Sequence, residues 1–368
     1  MMSLSNLWQY RWQLGAMAMA IVGLSATITY LFFSPEKSSP AESNVEVIDE
    51  NLQAVEIDAQ PINLNEKSSV TVVLLGYGGA GHQGGYLADA IQLIKLDFAK
   101  KQVAMISIPR DLWVLLPNGT QSKINQALSL GADRSQPILS GGKVAKKMVE
   151  VVTGQPVDYF IAADFVGFKR IIGEDLGGIT VDVPETVEDR WYPIAGEEQN
   201  TCGKSPQEVA ELTAQFSGFE LEKQFECRFE HIYFPEGKNQ MQGGDALAYV
   251  RSRHGSAAGD FSRSQRQQAL LIGLKGEFFD QEFWQNLSSI WNKLSQNVTT
   301  DLNIETIEYF LPALKLANDY EMKRGSISTD NVLISSKSAS GAYILIPKAG
   351  HGEWLEVHQY VQQLLEIE

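Results

Sequence analysis

The sequence predicts an α/β layered sandwich preceded by one membrane span. Strand-like runs rich in aliphatic and β-branched residues alternate with helix-patterned segments from Val70 onward, which is the signature of layered α/β folds. Ahead of them, Leu14 to Phe33 is an uncharged run of twenty residues. The 368-residue chain, 44% hydrophobic, is long enough to bury a large core.

The elements follow in order. At about 1.5 Å per residue, Leu14 to Phe33 matches the length of a helix crossing a hydrocarbon core. Trp8, Tyr10 and Trp12 precede it, and Tyr30, Phe32 and Phe33 lie in its last turn, where rings settle at headgroup level. A cleaved signal peptide has an apolar region of about 7–15 residues and a small-residue cleavage site; this run is longer and ends in bulky residues. Arg11 on the short side and acids on the long side place the N-terminus in the cytoplasm and the body outside. The division is therefore a cytoplasmic segment 1–13, a span 14–34, a flexible tether 35–69, a folded body 70–279 and a mainly helical extension 280–368. The tether has eight acids, two lysines and no aromatic residue, a composition that cannot build a core.

Within the body, Val70 to Gly76, Ile91 to Asp97 and Gln102 to Ile108 have the length and composition of buried strands. Helical patterns follow at Lys123 to Leu130 and Lys143 to Val152. Val157 to Ala163 reads as a strand, Asp164 to Asp175 as a helix with an acidic cap, and Gly178 to Val183 as a strand. The chain is mostly helical from Phe261, with a late strand at Gly341 to Pro347 and a final helix at Glu353 to Leu365.

Net charge is −15, the wrong sign for a nucleic-acid coat. Much of it lies in an acidic insertion at 185–240, where Glu185 to Glu236 holds twelve acids against four basic residues. That segment contains both cysteines, Cys202 and Cys227, which lack the partners of a zinc site. With the body outside the cell they can pair; two separate buried thiols is the alternative.

Gly76-Tyr77-Gly78-Gly79-Ala80-Gly81 fits the dinucleotide-binding pattern, and Asp97 stands where the ribose-binding acid belongs. The context fails. Only His82 to Ala90 is available for a crossover helix, it includes Gly84 and Gly85, and a crossover needs a dozen or more residues. The glycines instead predict an open loop whose amides approach an anion or which lets a bulky ligand close to the strand end.

Three islands contribute arginine: Arg110 in Ser107 to Asp111, Arg251 and Arg253 in Arg251 to His254, and Arg263 and Arg266 in Asp260 to Gln268. Arg110 falls beyond a strand end, where ligands meet open α/β sheets. Arg263 and Arg266 occupy the first turns of a helix, a poor place for cations unless an anion is bound. Gln267, four residues after Arg263, shares its face. The pattern predicts a phosphate-type pocket, since guanidinium forks grip phosphate oxygens in pairs. Asp89 reads as a Mg²⁺ ligand beside bound phosphates or as a local cap or salt bridge.

In this order the islands resemble the LytR-CpsA-Psr family of bacterial cell-wall assembly enzymes. The matching segments are Ser107 to Asp111, Ile124-Asn125-Gln126-Ala127, Gly177-Gly178, Ala246 to Arg253 and Asp260 to Gln267, so the resemblance covers roughly Val70 to Phe279. It implies a three-layer α/β/α sandwich with a mixed central sheet and a groove for an isoprenoid tail. It also implies a phosphotransferase that moves a glycopolymer from a polyprenyl-pyrophosphate carrier to peptidoglycan or another envelope acceptor. By the same resemblance Arg110, Arg251, Arg253, Arg263 and Gln267 would bind the pyrophosphate, and Asp89 would ligate Mg²⁺; Arg266 joins the substrate-binding candidates from the helix pattern. One departure is plain: the family often carries an acid two positions past the strand-end glycine, and this chain has Gly78, leaving Asp89 with waters or, less favoured, His82. Asp89 or Asp111 would serve as base, Asp111 being the better placed to orient Arg110. A hydrolase of lipid pyrophosphate and a membrane-anchored regulator that binds lipid-linked precursors without turnover are the alternatives.

Overall fold

The computed structural model describes residues 67–366 apart from 83, 132, 253–258, 279–286 and 315–318. The expected membrane span, the tether before residue 67 and Arg253 lie outside the described residues. Among the described residues no helix is long and apolar enough to cross a membrane.

β1 (Ser69–Tyr77), β2 (Ala88–Asp97) and β3 (Gln102–Ser107) form an antiparallel meander. A small hairpin, β4 (Trp113–Leu115) with β5 (Gln121–Lys123), leads through a 3-10 stretch, Ile124–Leu130, to α1 (Pro137–Thr153). Proline in the first turn and Gly154 at φ 67° bound that helix, as helix starts and stops require. β6 (Tyr159–Asp164) then returns parallel to β1, and the Asp164 side chain caps α2 (Phe165–Arg170) by accepting from the Gly167 amide at 2.7 Å.

Successive side chains of β1 point to opposite faces, and both faces are apolar. Val70 and Val72 join one buried cluster with Ile94, Val103 and Ile161. Val73, Leu75 and Tyr77 join the other with Leu93, Ile106 and Phe160. The sheet must therefore be covered twice, which gives three layers.

β7 (Ile179–Val183) leaves the central sheet and pairs with β10 (Gly237–Met241). Between them lies the acidic lobe: β8 (Val187–Pro193) and β9 (Phe229–Phe234) form a hairpin, and α3 (Pro206–Gln215) starts in a Ser205/Glu208 capping box. A disulfide joins Cys202 and Cys227, with Cα atoms 5.6 Å apart. α4 (Gly243–Arg251) and α5 (Gly259–Phe278) follow and cover the sheet on the Val72 face.

In the described part of 280–368 the expected late strand and final helix form as Tyr343–Pro347 and Leu355–Glu366, and three further strands appear that were not expected. Besides α6 (Leu287–Leu294), α7 (Ile304–Leu314) and α8 (Leu355–Glu366), this segment supplies β11 (Thr299–Thr300), β12 (Glu321–Ser326) and the hairpin β13 (Leu333–Lys337) with β14 (Tyr343–Pro347). β11 pairs with β6 and β12 with β3, giving the mixed order β11-β6-β1-β2-β3-β12. The meander alone leaves β3 and β6 with unpaired backbone edges, and the returning chain closes both. β12, Glu-Met-Lys-Arg-Gly-Ser, carries no apolar run because an edge strand buries little.

α5 lies so close to β7 that a Cβ on Gly273 would stand 2.6 Å from the Thr180 carbonyl oxygen. Gly273→Ala is expected to destabilise the fold by about 1–3 kcal/mol, read by chemical denaturation, because backbone has little room to yield.

Candidate active site

A largely apolar cavity runs between the sheet and α2, α4 and α5. Leu74, Ile161, Phe168, Ile172, Leu271 and Leu274 represent its apolar wall. Its polar lining consists of Asp89, Gln92, Arg251, Arg263 and Gln267. A second, smaller recess shares Asp89, Arg263 and Gln267 and adds Ser107, Arg110 and Asp111. Five of the residues expected at the site, Asp89, Arg110, Arg251, Arg263 and Gln267, are therefore brought together from four separate stretches of chain.

Local structure explains each placement. Asp89 sits at a β-bulge where β2 starts, opposite Gly76 and Tyr77, and bulges re-aim side chains. Pro109 ends the β3 ladder, so Arg110 leaves the sheet and pairs with the Asp89 carboxylate. Asp111 lies 3.5 Å from Arg110 Nε and 2.5 Å from Lys123 Nζ, which fixes the start of the arginine side chain. Arg263, 8% exposed, donates to the Asp89 backbone carbonyl. At the end of α4, the Arg251 guanidinium lies over the Phe165 ring, 4.2 Å from its centroid, and Nη1 donates to the Tyr192 hydroxyl at 3.4 Å. Burial pushes the Tyr192 phenol above its ordinary pKa despite the opposing pull of Arg251, so it stays neutral. Across the cavity and the recess, the guanidinium groups of Arg110, Arg251 and Arg263 stand against the carboxylates of Asp89 and Asp111, a balance that favours an anion.

Arg266 is a correction. It is 2% exposed, and its guanidinium is engaged by three backbone carbonyls: Ser262 at 3.3 Å, Tyr249 at 3.1 Å and Ser252 at 2.6 Å. The Ser252 hydroxyl in turn donates to Asp189 of the lobe, itself 1% exposed, at 2.7 Å. Arg266 fastens the end of α4 to α5, and a helix pattern that put it one turn from Arg263 could not show that it turns inward.

The glycine loop departs from expectation in another way. β1 and β2 are antiparallel, which removes the dinucleotide crossover, as its context predicted. Two of the loop glycine amides turn inward rather than toward an anion: Gly79 N bonds Gly85 O at 2.8 Å and Gly85 N bonds His82 O at 2.9 Å. A Cβ at Gly85 would stand 2.1 Å from Gly79 O, so the closure needs glycine. His82 places its ring edge-on to Phe165 with centroids 5.3 Å apart, and burial first, then the charge of Asp164 and the neighbouring Tyr86, pushes the Tyr77 phenol up to about 12.

For a metal, Asp89 is the carboxylate that lines the cavity, and the described residues contain no cluster of three or more His, Cys, Asp or Glu able to hold an ion. This donor set fits Mg²⁺ only when phosphate oxygens and waters complete the shell, an arrangement Mg²⁺ favours. Gln92, Phe165 and Tyr192 were not anticipated. Gln92 alone left a signal, as a lone amide within an apolar strand.

The model of the LytR_cpsA_psr family matches residues 30–353. The chain belongs to that family. Its relatives include the polyisoprenyl-teichoic acid–peptidoglycan teichoic acid transferase TagV of Bacillus subtilis, 29% identical over 65% of this chain and 51% of its own length. TagU of Enterococcus faecalis, which carries the same transferase name, is 24% identical over 85% of this chain and 82% of its own. The crystal structure of B. subtilis TagV superposes with a TM-score of 0.55 at 26% identity, covering 82% of this chain and 98% of that one. This family member thus spans about half the length of the first relative and most of the second.

Arg266→Met is expected to cost about 3 kcal/mol or more of stability, because it strands three buried carbonyls. Urea denaturation measures it; the same experiment on Arg251→Ala is expected to show a loss of about 1 kcal/mol or less, the worth of one cation–ring contact and one long hydrogen bond.

Proposed function

We propose that this protein transfers a glycopolymer from a polyprenyl-pyrophosphate carrier to peptidoglycan or another envelope acceptor, forming a phosphodiester. The single observation that carries the reading is the meeting of an apolar cavity with Arg251, Arg263, Gln267 and Asp89. Such a site suits an amphiphile with a greasy tail and an anionic head. The transferase names of TagV and TagU support the same chemistry.

On this reading the tail lies along Leu74, Ile161 and Leu271, and the diphosphate rests between Arg251, Arg263 and the Gln267 amide. Arg110, released from Asp89, closes on the distal phosphate. The acceptor hydroxyl oxygen attacks the sugar-bearing phosphorus; the P–O bond to the bridging oxygen breaks, and polyprenyl phosphate leaves with the electron pair. The hydroxyl proton is lost to solvent or to the leaving phosphate. Polyprenyl phosphate is a good leaving group once its charge is masked, so positioning and fixed cations carry the rate. Asp89 would hold Mg²⁺ with the phosphates, and the ion would supply charge neutralisation there. Asp111, held between Lys123 and Arg110, positions arginine. The disulfide between Cys202 and Cys227 suits an oxidising compartment, in keeping with a body on the outer face of the membrane, anchored by residues 14–34.

Arg251→Ala and Arg110→Ala are each expected to lower transfer from a lipid-pyrophosphate-linked glycan to a peptidoglycan acceptor by about a hundredfold or more, followed by acceptor-product analysis, with thermal melting little changed. Transfer at the wild-type rate in either variant removes that arginine from the site. Release of the glycosyl phosphate to water at equal rate with and without acceptor marks a hydrolase instead.

A further inference from the structure

β2 lines the cavity with Ala90 and Gln92 and continues as Ile94 and Leu96 in the buried core. Gln92 is the anomaly: an amide, 3% exposed, on a strand face that is otherwise apolar. Burying an amide costs free energy unless its hydrogen bonds are replaced. Here the Nε2 group has two acceptors, Gln267 Oε1 at 2.9 Å and Ser107 Oγ at 3.0 Å. The Ser107 hydroxyl donates onward to Ser264 Oγ at 2.9 Å. Gln92 Oε1 is buried without a partner.

The arrangement has a direction. Because Gln92 offers N–H to Gln267, Gln267 turns its carbonyl oxygen toward the strand, and its own NH₂ group is left on the opposite side of the amide. That is the orientation an anion needs; the reverse would present a carbonyl oxygen to phosphate. Turning both amides over would pair Gln92 Oε1 but move Gln92 Nε2 to the side that has no partner; the orientation shown leaves an acceptor rather than an N–H donor unpaired, the less costly of the two.

We propose that Gln92 is a positioning residue that fixes the Gln267 side-chain amide with its N–H donors toward the phosphate of the ligand. Gln92 acts through Gln267 and does not itself touch the phosphate. The inference rests on the diphosphate reading of the site given above.

The test is a double-mutant cycle on the full-length protein in detergent, measuring the Kd for geranylgeranyl pyrophosphate by calorimetry. Gln92→Leu is expected to weaken binding about five- to tenfold, the range of one hydrogen bond. In a Gln267→Ala background the same change is expected to weaken it less than about twofold, because the group it orients is gone. Gln92→Glu is expected to weaken binding more than Gln92→Leu, since a carboxylate draws the Gln267 NH₂ toward itself and away from the ligand. Gln92→Met serves as the second apolar variant, and thermal melting of each variant separates loss of fold from loss of orientation. Equal losses with and without Gln267, or wild-type affinity in both Gln92→Leu and Gln92→Met, overturn the proposal while leaving the reading of the site intact. Failure of the wild-type protein to bind the pyrophosphate overturns that reading, and this inference with it.

Discussion

Asp89 is the point on which the site depends. Its carboxylate holds Arg110 and its backbone carbonyl holds Arg263, so one residue at the bulge of β2 organises cations from the β3 exit and from α5. Cations beside an apolar cavity are costly unless an anion compensates them. Asp89 and Asp111 both pair with Arg110, whereas Arg251 leans on the face of Phe165 and on Tyr192. The surplus of positive charge at the end of a greasy cavity is what gives the molecule a preference for an amphiphile with an anionic head.

Around that point the protein invests in fixing orientation. Arg266 ties α4 to α5 through backbone carbonyls and reaches the lobe by way of Ser252 and Asp189. The lobe therefore does more than add acidity. Tyr192 on β8 receives Arg251, and Trp191 donates its backbone N–H to Asp189, so the hairpin stands as a buttress behind the Arg251 side of the cavity. His82 performs a similar service from the glycine loop, meeting the same Phe165 ring that carries Arg251. Rigid support behind charged groups is what electrostatic catalysis requires, because donors already in place need no rearrangement as charge develops.

Much of this was legible in the sequence. β1, β2, β3 and β6 are apolar runs with clear stops, and each forms within a few residues of where the pattern puts it. The arginine islands also converge as their spacing and helix position implied, since cations in the first turns of α5 and beyond the end of β3 ask for an anion. What could not be read was the direction in which side chains turn. Arg263 and Arg266 differ by three residues, yet one reaches Asp89 and the other is buried among carbonyls, a distinction set by where α4 lies. The sheet edges were illegible for a related reason: β11 and β12 are defined by the partners they pair with, and a short polar edge strand carries no period of its own. The glycine loop was half legible. Its failure as a crossover followed from length, whereas the internal hydrogen bonding of Gly79 and Gly85 depends on a fold-back that spacing does not encode.

The central claim, that an apolar cavity and a cationic mouth together hold a prenyl pyrophosphate, is tested most directly by identifying what the protein carries. Native mass spectrometry of the full-length protein purified from a cell-wall-forming bacterium, followed by lipid extraction, is expected to show a polyprenyl phosphate or pyrophosphate bound one to one and lost on charge reversal at Arg263. A cavity that carries only ordinary phospholipid, to the same extent whether or not Arg263 is present, would contradict the account.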